Sequence, residues 1–158
     1  MAQPDERTRA ALAYVRHQAT KSLADLRVLV ERTAADCRRC LEGITEEQAR
    51  FKPGNEWSVK EVLGHLIEAT ALQATQGIRD LAAGMAPRPL PADDSRGRAT
   101  RSIDELRKEM ARLLDEAVLL VSALPQGELP AGTYHVMDHV QQIETIKADP
   151  GYPADQPS

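Results

Sequence analysis

The chain predicts an all-α fold, a four-helix bundle in up-down-up-down order or a variant of it. Three observations carry this. Apolar residues recur at steps of three and four along four segments. Three of the helical stretches open on a Ser/Thr-x-x-Glu/Gln capping box: Thr45–Gln48, Ser58–Glu61 and Ser102–Glu105. Aromatic residues make up only 3% of a chain that is 42% hydrophobic. The core is therefore expected from Leu, Val, Ile and Ala, which suits packed helices better than a sheet.

The first helix is expected from about Asp5 to Glu42. Leu12, Val15, Ala19, Leu23, Leu26, Val30, Thr33, Cys37 and Leu41 form its buried face, and Gly43 closes it. A short turn follows Thr45, and Pro53-Gly54 then interrupts helix. Helix two runs from Ser58 to about Ala83, with Val59, Val62, Leu63, Leu66, Ala69, Leu72 and Ile78 on its apolar line. The stretch Gly84–Thr100, with Pro87, Pro89 and Pro91, reads as a long connection. Helix three starts after Ser102, with Ile103, Leu106, Met110, Leu113, Leu114, Ala117, Leu120, Val121 and Leu124 on its apolar line, and Pro125–Gly132 reads as a turn. Helix four is expected from about Thr133 to Ala148. Residues 1–148 are expected to form one domain and 149–158 a disordered tail.

The formal net charge is −4, with both signs interleaved, so no basic patch for nucleic acid is expected. No apolar run approaches the roughly 20 residues that cross a bilayer. The polar start Met-Ala-Gln-Pro-Asp-Glu-Arg lacks a signal peptide's apolar stretch, which places the expectation in the cytoplasm. Cys37 and Cys40 form a C-x-x-C inside a helical pattern rather than at a helix start after a strand, so they read as packing residues.

The chain has four histidines. His135 and His139 sit four apart on the expected last helix, which turns both rings to one side. They share a stripe with Gln142 and Ile146, and His65 lies at the edge of the helix-two core face. Two readings of the pair stand. One is a divalent metal held by neutral imidazoles, with His65 as the third ligand and a coordination position left open. The other is two histidines satisfied by hydrogen bonds within the bundle. Three histidines suit zinc or nickel, with iron or manganese as alternatives. Glu61, Glu68 and Asp138 lie close enough in sequence to orient a ligand or act as general base, or else face solvent as ordinary carboxylates. The inverted zinc-protease pattern H-x-x-E-H would need a Glu where Asp138 stands, and a further downstream ligand, so a protease is disfavoured. His17 reads as a surface or boundary residue, and Trp57 as packing at the start of helix two, with lining a pocket as the alternative.

The stretches LEGITEEQARFKPGNEWSVKEVLGHLIEAT and YHVMDHVQQIETIK resemble the two signatures of the DinB/YfiT-like superfamily in order and spacing. The resemblance covers roughly Leu12 to Lys147. It implies a four-helix bundle with a three-histidine zinc or nickel site at His65, His135 and His139, and often a homodimer. It also implies a metal-dependent transferase joining a low-molecular-weight thiol to an electrophile, or a hydrolase of a small substrate. The alternatives are a non-catalytic metal-binding or stress-response bundle and a dimeric helical scaffold. No cluster of Arg or Lys forms an evident pocket for a thiol cofactor's carboxylates.

Overall fold

The computed structural model describes residues 6, 9, 10, 13, 17, 20–86, 100–121 and 131–154, the side chains of 131–135 excepted. Helices account for nearly all regular structure, and no strand occurs among the described residues. They are α1 (Leu23–Leu41), α2 (Glu46–Arg50), α3 (Val59–Ala69), a π-helical segment (Thr70–Gln76), α4 (Gly77–Ala82), α5 (Ile103–Leu120) and α6 (Ala131–Lys147). Backbone angles stay helical through Ala69, Thr70, Gln76 and Gly77, so α3, the π segment and α4 run on as one rod.

All three expected capping boxes form. Thr45, Ser58 and Ser102 each accept a hydrogen bond from the backbone N–H three residues on, and the side chain there returns one to the cap. A fourth signal, Ser22-Leu-Ala-Asp25, corrects the first helix. Ser22 Oγ accepts from Asp25 N at 3.1 Å, and Thr20 turns back onto the His17 carbonyl. A helix therefore begins at Leu23 rather than running unbroken from Asp5 to Glu42. Leu23, in that first turn, is 37% exposed and leaves the core face that the periodicity assigned to it. The expected core positions Leu12, Val15 and Ala19, and the turn at 125–130, lie outside the described residues.

Side-chain pairs at the helix ends set the directions. Arg107 near the start of α5 donates to the Leu41 carbonyl at the end of α1, so these helices are antiparallel. Lys147 at the end of α6 donates to the Cys40 carbonyl, so α1 and α6 are parallel. Arg79 pairs with Glu116, and the starts of α3 and α5 meet at Glu46, so α3–α4 and α5 are parallel. The order is thus up-down-down-up. Parallel α3–α4 and α5 oblige the chain between Ala83 and Ser102 to return the length of α5, roughly 27 Å for 18 residues. That is the physical reason for a long connection there.

The core joins Ala34, Cys37, Leu41, Val59, Leu63, Leu66, Leu106, Met110, Val136 and Ile143 across α1, α3, α5 and α6. Residues 149–154 depart from the expected disorder. Tyr152 stacks edge-on to Phe51 with centroids 5.7 Å apart, and the Pro153 carbonyl accepts from Gln48 Nε2 at 3.0 Å. Burial of an aromatic ring and a bonded carbonyl compensate the ordering; residues 155–158 lie outside the described ones.

One ionic hub ties three helix starts together. The Lys60 side chain is 3% exposed, and its ammonium donates to Glu46 Oε1 at 2.6 Å. Glu46 Oε2 accepts from the Ile103 N–H at 2.8 Å, at the positive end of α5. The Lys60 hydrogen bond, with help from Ile103 and Arg50, holds the Glu46 carboxyl down at about 2. Its folded-state value lies below the ordinary 4.5, so its stabilisation is complete above about pH 4.5 and is lost as pH falls towards 2. Glu46→Gln is expected to lower the unfolding free energy by about 2 kcal/mol at neutral pH. That is short of the ~3–5 kcal/mol of a fully buried pair because Glu46 is 37% exposed. Urea midpoints across pH 2–7 check this, and the gap between wild type and variant is expected to close on acidification.

Cys37 and Cys40 are both buried. Burial pushes each thiol up to about 12, which suppresses the reactive thiolate. Both are expected to resist a disulfide-exchange reagent at pH 8 in the native protein and to react once it is unfolded.

Candidate metal centre

The Ser58 cap starts α3 and fixes the position of His65 two turns later. The α6 stripe buries Val136, His139, Ile143 and Ile146 against the core. Because α3 and α6 are antiparallel neighbours, His65 and His139 meet across the interface. Their ring centroids are 5.0 Å apart at an interplanar angle of 75°. Two imidazoles sharing one ion at about 2 Å per Zn–N bond have centroids roughly 4.5–5.2 Å apart at tetrahedral-to-square angles. The separation in this protein fits that range.

His139 is 8% exposed, and its Nδ1 lies 2.6 Å from Gln142 Oε1, one turn further along α6. With a carbonyl oxygen as acceptor, Nδ1 carries the proton and donates. The lone pair then resides on Nε2, the tautomer a metal ligand needs. Gln142 was read from the sequence only as a member of the inward stripe. Its place three residues after His139 was the available signal for an orienting role.

Trp57 does more than pack at the start of α3. Its indole stacks edge-on to His65 with centroids 5.4 Å apart, and it lines a cleft of about 450 Å³ together with His139. Asp138 is half-buried and lines the same cleft. Glu61 is committed elsewhere. It accepts from the Ser58 N–H at 2.8 Å and pairs with Lys52 at 2.8 Å. Burial raises its carboxyl, but these hydrogen bonds outweigh that and hold it below the usual range. Glu61 is thus a helix cap rather than a base beside His65. Glu68 is half-buried one turn beyond His65. His17 is exposed, as expected.

Among the described residues no group of three His, Cys, Asp or Glu is placed to hold a metal, so none of the three carboxylates completes the pair as a ligand. His135 lies on the α6 backbone one turn before His139, and its side chain is outside the described residues. No helix among the described residues is long and apolar enough to cross a membrane.

Gln142→Leu is expected to release His139 from its fixed tautomer. Nitrogen chemical shifts of the imidazole in the metal-free protein check this: a dominant Nδ1–H form in wild type and a mixture of tautomers in the variant. An unchanged tautomer population would remove the orienting role.

The family model described as the DinB superfamily matches residues 29–135, which include His65 and His135 and end four residues short of His139. Among curated proteins and solved structures, none matches the chain. The match spans more than half of the chain, and the chain belongs to the DinB superfamily.

Proposed function

We propose that this protein is a divalent-metal-dependent enzyme acting on a small molecule, in which His65, His135 and His139 hold zinc or nickel. The observation that carries the reading is the approach of the His65 and His139 ring centroids to 5.0 Å, from positions more than 70 residues apart in the chain, with His139 held by Gln142. Such a bound ion would supply Lewis acidity, lowering the pKa of a thiol or a water at an open position and so producing a nucleophile near neutral pH. The chain's own residues supply the rest. Gln142 orients His139. Trp57 covers one side of His65 and restricts water there. Asp138 stands on the cleft wall next to His139 in sequence and would accept a proton from a bound substrate. The reaction is transfer of a low-molecular-weight thiol to an electrophile or hydrolysis of a small substrate. A cleft of about 450 Å³ lined by His139 and Trp57 favours turnover over a purely structural ion, which a closed site would hold.

Elemental analysis of protein purified without an affinity tag is expected to find about one zinc or nickel per chain. His65→Ala and His139→Ala are each expected to weaken metal binding by about 100-fold or more, with the fold retained. Absence of metal, together with no tight uptake by the apo form, would overturn the metal reading. Metal-loaded protein is then assayed with a bacterial thiol plus a generic electrophile, and with a panel of small esters and amides. Stoichiometric metal without turnover in either assay would favour the non-catalytic binding bundle.

A further inference from the structure

We infer that a small cavity inside the bundle is a binding site for one water molecule, which hydrogen-bonds Thr70 of the π segment to Thr33 of α1. The cavity has a volume of about 10 Å³ and is lined by residues of α1, the π segment, α5 and α6. Thr33 and Thr70 are the polar side chains among them, and the rest are Val, Leu and Ala. Thr70 is 1% exposed, and its hydroxyl has no hydrogen-bond partner among the described residues. The two other buried threonines behave differently. Thr33 donates to the Leu29 carbonyl at 2.8 Å and Thr75 to the Ala71 carbonyl at 2.6 Å, each four residues back. Thr70 departs from that pattern, and the Leu66 and Ile67 carbonyls behind it both take its backbone N–H. A hydroxyl removed from solvent without a replacement partner is costly, so it calls for a ligand in the cavity it lines.

Size and chemistry select the ligand. One water needs roughly 10–15 Å³ on this measure, so a single water fits and no larger molecule does. No charged side chain lines the cavity among the described residues, which disfavours an ion. A buried water needs at least about two polar partners, and the two threonines supply them. Thr33 spends its hydrogen on Leu29 and keeps lone pairs, so the water donates to Thr33 Oγ1. Thr70 has both its hydrogen and its lone pairs to give, so it donates to the water oxygen. The bridge ties α1 to the rod at the residue where the helix widens into its π segment. It also lies against Val136, one turn before His139.

Oxygen-17 relaxation dispersion counts long-lived internal waters and does not respond to hydroxyl protons. It is applied to the full-length protein, to Thr70→Val and to Thr70→Ser. A chain of this length holds roughly six buried waters, so the difference between samples is read rather than the total. Thr70→Val exchanges the hydroxyl for a methyl of like size and is expected to lose about one long-lived water per chain. Thr70→Ser keeps the hydroxyl and is expected to lose none. An unchanged count in Thr70→Val overturns the inference, and so does an equal loss in both variants, which marks a general loosening of the core. A high-resolution crystal structure of the wild-type protein needs no variant to fold. It is expected to show one density peak within hydrogen-bond distance of both hydroxyls. A dry cavity, or a Thr70 hydroxyl turned onto the Leu66 carbonyl, overturns the inference as well.

Discussion

The contact on which the arrangement depends is the ion pair of the buried Lys60 with Glu46. An ammonium that is 3% exposed has a steep desolvation penalty unless a counter-charge is held against it. The same carboxylate receives the first N–H of α5, where the helix dipole favours a negative group. One side chain on the short helix α2 therefore sets where α3 and α5 begin. A five-residue helix would have little stability alone. It persists here because its cap closes its own first turn, its glutamate bonds to Lys60 and the carboxamide of Gln48 bonds to the Pro153 carbonyl.

That anchor has consequences at the other end of α3. With the start of α3 fixed by Glu46 and by the Ser58–Glu61 box, the helical rise carries His65 to a set height against α6. The α6 helix is placed by its own buried stripe and by Lys147, which reaches the Cys40 carbonyl at the end of α1. The two histidines are thus brought together by contacts made at the helix ends, while Gln142 and Trp57 restrain the rings themselves. A site built on rigid helices with restrained rings is the arrangement a metal centre requires. The π-helical segment begins five residues beyond His65 and still packs against α6, and further along the rod Ile78 packs with Val30 and Val121.

Much of this was legible in the sequence, and the reasons are local. The capping boxes at Thr45, Ser58 and Ser102 are contacts between residues three apart, so their signature is contiguous. The inward faces of α1, α3, α5 and α6 follow from a 3.6-residue period. Even the missed break at Ser22 carried the same Ser-x-x-Asp signal, which a continuing apolar period had overridden. Other features had no local sign. Nothing around Lys60 marks a lysine whose ammonium is buried. Nothing in the Pro- and Gly-rich end of the chain announces that Tyr152 will pack on Phe51. Glu61 looked like a candidate base because it lies one turn from His65, but its two oxygens are used by Ser58 and Lys52.

The sequence by itself determined that this chain is helical, where most helices start, which faces they bury and which histidines share a face. Each of these is a consequence of neighbours within one or two turns. Only the tertiary structure decided the up-down-down-up order, the meeting of His65 with His139, the commitment of Glu61 to its cap and the cleft that Trp57 and His139 line. Those depend on which helix lies against which, and that choice is made by ion pairs and packing between residues far apart in the chain, for which no periodicity exists to be read.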